Sequence, residues 1–181
     1  MKKEKKPIAY DAKKFVRVSY AHLLAPRPHI RHHSLRPIRE CLESAIHMAG
    51  QIELIDNCLF DQRPEKVRAA YFRASLTELC RVEDAAKVLG KRVSFYESDD
   101  PSLHIVKLLR NYQVHLSTTK LNAGTKKVKF SGEIMDYHTF LAENVTASQL
   151  RQLDSSARYS DEQLTELVML FEQEQRQLGM V

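Results

Sequence analysis

Apolar positions in the first half of the chain recur every three or four residues, the period of a helix with one buried face. From Leu35 the series runs through Ile38, Leu42, Ala45, Ala49, Ile52, Ile55 and Leu59. With Ser34 as its capping residue, this predicts a first helix over residues 34–60. Asp61-Gln62-Arg63-Pro64 interrupts the pattern. A second helix is predicted over 64–90, with Phe72, Leu76, Leu79 and Ala86 on its inner face and Gly90 as its stop. Ser98-Asp99-Asp100-Pro101 then starts a third helix, Asp100 capping it and Pro101 occupying its first position. That helix is predicted over 101–122. Its residues Ile105, Leu109, Tyr112 and Leu116 lie within about 60° of one another and face the core. His104, Leu108, Asn111 and His115 share a neighbouring flank.

Beyond Gly124 the period shortens to two. Val128 and Phe130 alternate with Lys127 and Lys129, and Ser131-Gly132 offers a tight turn, which predicts a small β-hairpin at about 126–141. A short helix is expected near Ala147–Leu153. Ser160-Asp161-Glu162-Gln163 has the form of a capping box for a last helix at about 160–178, carrying Leu164, Leu167, Val168, Phe171 and Leu178. The expected fold is mainly α: residues 34–181 form a helical bundle with a hairpin insertion and a C-terminal helix. Its core includes Leu42, Ile46, Leu76, Leu79, Leu109 and Leu116.

Residues 1–33 do not share this pattern. Pro7, Pro26 and Pro28 break any long helix there, so they read as an irregular arm. Charge makes the arm distinctive. Residues 1–39 carry eleven Lys or Arg against two acids, residues 40–142 balance, and residues 143–181 carry three against seven. A basic arm on a neutral body suits a polyanion such as RNA through counterion release, with Lys2, Lys3, Lys5, Lys6, Lys13, Lys14 and Arg17 as the contacts. The alternatives are a solvated tail, or docking on an acidic C-terminal segment of another subunit.

Composition narrows the class further. No stretch approaches the roughly 20 apolar residues that span a bilayer. Met1-Lys2-Lys3-Glu4-Lys5-Lys6-Pro7 has no apolar run behind it and does not read as a signal peptide. Cys41, Cys58 and Cys80 are odd in number, far apart and within helical patterns, as buried free thiols in a reducing cytoplasm are. His29-Ile30-Arg31-His32-His33 lacks a carboxylate or thiol at ligand spacing and reads as a basic loop. No metal or cofactor is therefore expected. There is also no Gly-rich phosphate loop and no Ser or Cys nucleophile with a credible base.

The segment Arg110-Asn111-Tyr112-Gln113-Val114-His115 is the candidate chemistry. Arg is the usual fork for phosphate oxygens, and His moves a proton near neutral pH. Arg17…His22 and Arg27…His32 repeat the spacing, but they lie in the Pro-punctuated arm, whereas Arg110…His115 sits in an amphipathic helix. Five residues place Arg110 and His115 about 140° apart around a straight helix, so one helix does not aim both at one phosphate. Either a bend or a pair of protomers sharing one cleft resolves this. Glu78 and Glu83, from the second helix, are possible further polar groups of the site, or else partners of nearby arginines. Tyr112 mainly packs.

This segment resembles the HEPN superfamily, whose members carry Arg and His separated by four to six residues, often with Asn after the Arg. The resemblance covers roughly residues 34–122. It implies an all-α bundle that commonly dimerises, and a metal-independent endoribonuclease of the kind found in toxin–antitoxin and phage-defence systems. On that reading Arg110 and His115 are catalytic, Asn111 orients them, and the RNA's 2′-hydroxyl is the nucleophile. RNA, a second copy of the chain, and an antitoxin or other protein are the partners implied. A toxin subset has Tyr two residues after the His as a modification site. Here Ser117 stands there, and that regulation is not implied. Some relatives are non-catalytic modules binding nucleic acid or a partner protein, and that is the alternative function.

Overall fold

In the computed structural model, residues 35–52, 63–115, 120–130, 133–143 and 145–178 are described. The expected cap at Ser34, the extension of the first helix to residue 60, Leu116, and the arm with Lys2, Lys3, Lys5, Lys6, Lys13, Lys14 and Arg17 lie outside them. The chain is mainly helical. Its elements are α1 (Arg36–Gln51), α2 (Pro64–Cys80), α3 (Val82–Val88), α4 (Pro101–His115), β1 (Lys120–Phe130), β2 (Glu133–Glu143), α5 (Ala147–Leu150) and α6 (Asp161–Leu178). Short 3₁₀ turns at Phe95–Glu97 and Asp154–Arg158 complete it. No helix among the described residues is long and apolar enough to cross a membrane.

Where local chemistry is strong, the helix ends fall as the residues dictate. Asp100 caps α4, its carboxylate accepting from the Ser102 N–H at 2.8 Å, and Pro101 opens the helix. The box at α6 closes reciprocally. Ser160 Oγ accepts from the Gln163 N–H at 3.2 Å, and Gln163 Oε1 from the Ser160 N–H at 2.9 Å. Gly90 ends α3 with φ of 68°. Lys91 N–H reaches back to Ala86 C=O at 2.9 Å and Gly90 N–H to Lys87 C=O at 3.0 Å, the two bonds of a Schellman turn. This turn throws the chain sharply away from α3 into residues 91–97.

Three expectations need correction. The helix predicted over 64–90 is divided at Arg81, whose N–H is shared between Thr77 and Glu78 carbonyls at 3.1 Å each, tightening one turn. The helix predicted to 122 does not reach that far: α4 is described to His115, and residues 120–122 are strand, paired from Lys120 opposite Glu143. The third correction is the facing of α1. Leu42 is 39% exposed and Ile46 72%, while Cys41, Ala45 and Ile52 are buried. α1 meets α2 through small residues, closely enough for Ser75 Oγ to donate to Ala45 C=O at 3.0 Å. That close approach turns the larger side chains outward.

The main core lies between α4 and the C-terminal elements. Ile105, Leu108, Leu109 and Tyr112 of α4 pack with Leu76, Val145, Leu150, Leu153, Tyr159, Leu164 and Leu167. Leu108 and His104 are fully buried, so the inner arc of α4 is wider than the stripe predicted from Ile105, Leu109, Tyr112 and Leu116. His104 is held at both ring nitrogens. Ser98 C=O, which can only accept, lies 2.7 Å from Nε2, so Nε2 carries the proton and Nδ1 accepts from Tyr159 O–H at 2.8 Å.

Burial pushes the His104 pKa below its ordinary 6.5, against the opposing pull of the Ser98 carbonyl. The unfolded chain therefore takes up a proton near pH 6.5 that the folded chain resists. Stability contributed by neutral His104 is present above that pH and lost as pH falls below it. Thermal melts from about pH 7.5 to about pH 5.5 should show a smaller loss of Tm in His104→Gln than in the parent. Equal losses in the two proteins would remove this role.

Candidate functional site

α4 carries the candidate residues on the arc beside its core face. Lys107 and Asn111 stand one turn apart, with Arg110 beside them, and all three are half-buried. What half-buries them is the chain on either side of α4: the 3₁₀ turn carrying Tyr96 and the 3₁₀ turn carrying Ser155 and Arg158.

Asn111 is the hub of this cluster. Its Nδ2 donates to Tyr96 Oη at 3.1 Å and to Ser155 Oγ at 3.2 Å. Those two bonds fix which way the amide faces and leave Oδ1 to accept from Arg110 Nη1 at 3.1 Å. The guanidinium of Arg110 is thus oriented by the residue next to it, and Asn111 by residues 15 and 44 positions away. Arg110 Nε is buried and has no hydrogen-bond partner among the described residues; Arg158 Nε is in the same condition. An unpaired buried donor costs about 1–3 kcal/mol, so both positions favour an acceptor.

Tyr96 organises the cations. The Arg158 guanidinium lies 4.1 Å from its ring centroid, within cation–π range, and Lys107 Nζ lies 6.0 Å from it. Burial raises the Tyr96 pKa above its usual value, opposed by Ser155 and by the charges of Arg158 and Lys107, so the phenol stays neutral. Glu83 supports this side. One carboxylate oxygen accepts from Phe95 N–H at 2.6 Å, and the other pairs with Lys107. The same carboxylate therefore pins the turn bearing Tyr96 and the lysine beside it. Cys80 lies close by, buried, its thiol pKa raised by desolvation against the charges of Lys107 and Arg110. It is held as an inert thiol rather than a nucleophile.

The residues expected for the site divide accordingly. Arg110 and Asn111 are joined directly, and Glu83 reaches them through Lys107 and Tyr96. Glu78 is elsewhere, in a two-pronged pair with Arg81 at 2.8 and 3.0 Å beside α1. Tyr112 is 8% exposed and belongs to the core. His115 is the last residue of α4, and its side chain lies outside the described residues. The helix is unbroken from Arg110 to His115, so no bend brings the two positions to one side. They remain about 140° apart around its axis.

Four residues of the cluster escaped the sequence reading. Lys107 was legible in principle, three residues before Arg110 on one helical face. Tyr96, Ser155 and Arg158 come from irregular turns, where no period marks a side chain as inward. Among the described residues, no three His, Cys, Asp or Glu side chains converge as a metal site. An open groove of about 630 Å³ runs from the cluster along the Schellman turn, lined by Lys87, Lys91, Arg92, Ser94, Tyr96 and Lys107, with Glu83 and Asp84 on its wall. Comparison with known proteins finds no family model, no curated protein and no solved structure that matches this chain.

Proposed function

We propose that the chain is a HEPN-like, metal-independent endoribonuclease, a helical bundle with a hairpin insertion that works as a two-fold dimer in the cytoplasm. One observation carries this reading: Arg110 is held by Asn111, and its Nε–H has no acceptor among the described residues. A guanidinium held by an amide and paired to no acid among the described residues is suited to the charge that builds on a phosphorane.

The reaction needs little else. The 2′-oxygen of a ribose attacks the adjacent phosphorus, its proton passing to a base, and the 5′-oxygen of the next nucleotide leaves with a proton from an acid. A 2′,3′-cyclic phosphate and a 5′-hydroxyl remain. His115 serves as the base or acid. Arg110 stabilises the equatorial oxygens, and Asn111 keeps Arg110 aimed. Because α4 separates the two positions, Arg110 acts with His115 of the second protomer. A toxin or phage-defence setting, with an antitoxin or other protein as regulator, follows from the resemblance alone.

The second reading is a non-catalytic module binding nucleic acid or a protein, favoured by the basic groove beside the cluster. Incubating labelled RNA in EDTA with the parent and with His115→Ala separates the two. The expected result is cleavage to cyclic-phosphate ends by the parent and none by the variant. Equal cleavage by both, or none by either, makes the module the better reading.

A further inference from the structure

The groove along the Schellman turn is not explained by the catalytic residues. Its cations come from three places: Lys87 from the last turn of α3, Lys91 and Arg92 from the chain after Gly90, and Lys107 from α4. Lys107 is committed to Glu83, and Arg92 pairs with Glu97 at 2.6 Å across an exposed surface, where such a pair holds weakly. Lys87 and Lys91 are exposed and enter no ion pair among the described residues. The turn at Gly90 is what sets them on one groove, since it reverses the chain between them. Two unpaired ammonium groups facing one channel repel each other, and an anion between them relieves that.

The other end of the groove is Tyr96, the residue whose hydroxyl accepts from Asn111. The groove therefore shares Tyr96 and Lys107 with the cluster that holds Arg110. Tyr96 itself carries Arg158 on its ring, so it acts as a wall and not as a platform for a base. At about 630 Å³ the groove is of small-ligand size, suited to a short stretch of single strand and too small for a duplex.

We propose that this groove binds the sugar–phosphate backbone of single-stranded RNA, with Lys87 and Lys91 as its phosphate contacts. The proposal rests on the reading that RNA is the ligand, but not on cleavage. A protein partner with an acidic segment is the competing occupant, and RNA is preferred because the groove shares Tyr96 and Lys107 with the cluster that holds Arg110.

The test uses the full chain and a fluorescent single-stranded RNA of about a dozen nucleotides, followed by anisotropy across a salt series. Lys87→Glu/Lys91→Glu should weaken binding by about tenfold or more and lower the salt slope by about 1.4, the share of two phosphates on a single strand. Asp84→Asn, which removes an acid from the same wall, should tighten binding about two- to threefold, a change of sign that damage to the fold does not mimic. Circular dichroism should find all variants folded, since both lysines are on the surface. Unchanged affinity in the lysine variant overturns the proposal. So does the absence of RNA binding by the parent, or poly-glutamate binding through Lys87 and Lys91 as tightly as RNA. Loss of binding in the lysine variant, with no cleavage by the parent, keeps the groove and removes the nuclease. Cleavage that needs His115 but ignores Lys87 and Lys91 does the reverse.

Discussion

Arg110→Ala should lower the rate of RNA cleavage by about two to three orders of magnitude, the range for losing one donor aimed at a developing negative charge. The fold should survive, because Arg110 is outside the apolar core and its one described hydrogen bond is to its neighbour Asn111. Arg110→Lys should not restore activity, since an ammonium supplies a point charge in place of a planar fork. The position of the two groups on α4 makes a sharper forecast. If Arg110 of one protomer works with His115 of the other, mixing Arg110→Ala with His115→Ala rebuilds one intact site per mixed dimer. About a quarter of the parent activity should return, from the symmetry of a two-fold assembly. No recovery on mixing, or a monomer by light scattering at micromolar concentration, would sink the shared cleft. Parent-level cleavage by Arg110→Ala would remove the catalytic role altogether.

Leu108→Ala should be the most damaging single truncation in the bundle. Leu108 is fully buried among residues of α4, α5 and α6, so the methyl groups removed leave a cavity with little room to collapse. Losses of this kind run to about 2–5 kcal/mol, against a total of about 5–15 kcal/mol for an ordinary domain. Urea unfolding should show the midpoint fall with an unchanged slope. Ile46→Ala, by contrast, should change stability by no more than about 0.5 kcal/mol, because that side chain is largely in water. A large loss at Ile46 would mean that this side chain belongs to the core, as expected from the sequence.

That contrast marks what could be read from residues alone. Signals confined to a few neighbours were legible: the Asp100-Pro101 start, the Gly90 stop and the Ser160–Gln163 box each act within one turn. The facing of α1 was legible only in part: Ala45 and Ile52 of the apolar series are buried, but Leu42 and Ile46, which outrank Cys41 in hydrophobicity, are turned outward. The close contact with α2 selects the smaller Cys41 and Ala45 instead. Arg110 and Asn111 were named as site residues, and they are bonded to each other. The supporting group was hidden. Tyr96, Ser155 and Arg158 reach α4 from turns whose sequence carries no period, and Glu83, read as a site group or an arginine's partner, is bound by Lys107 and Phe95 N–H.

The link between His104 and Tyr159 spans 55 residues, and that between Asn111 and Ser155 spans 44. Both cross the hairpin, so they have a consequence for the order in which the protein can be made. While α4 is leaving the ribosome, Leu76 of α2 is already made, but Val145, Leu150, Leu153, Tyr159, Leu164 and Leu167, which complete the core around Leu108, are not. Its apolar arc must wait until Leu164 and Leu167 have been synthesised, several seconds later at about 5–20 residues per second. During that interval the nascent chain presents Ile105, Leu108, Leu109 and Tyr112 to whatever binds exposed apolar helices, and Arg110 is not yet held by the amide that Ser155 helps to orient. The site is therefore assembled last. A product truncated before the turn at Asp154–Arg158 would carry the Arg110–His115 segment without Ser155, which helps to aim it.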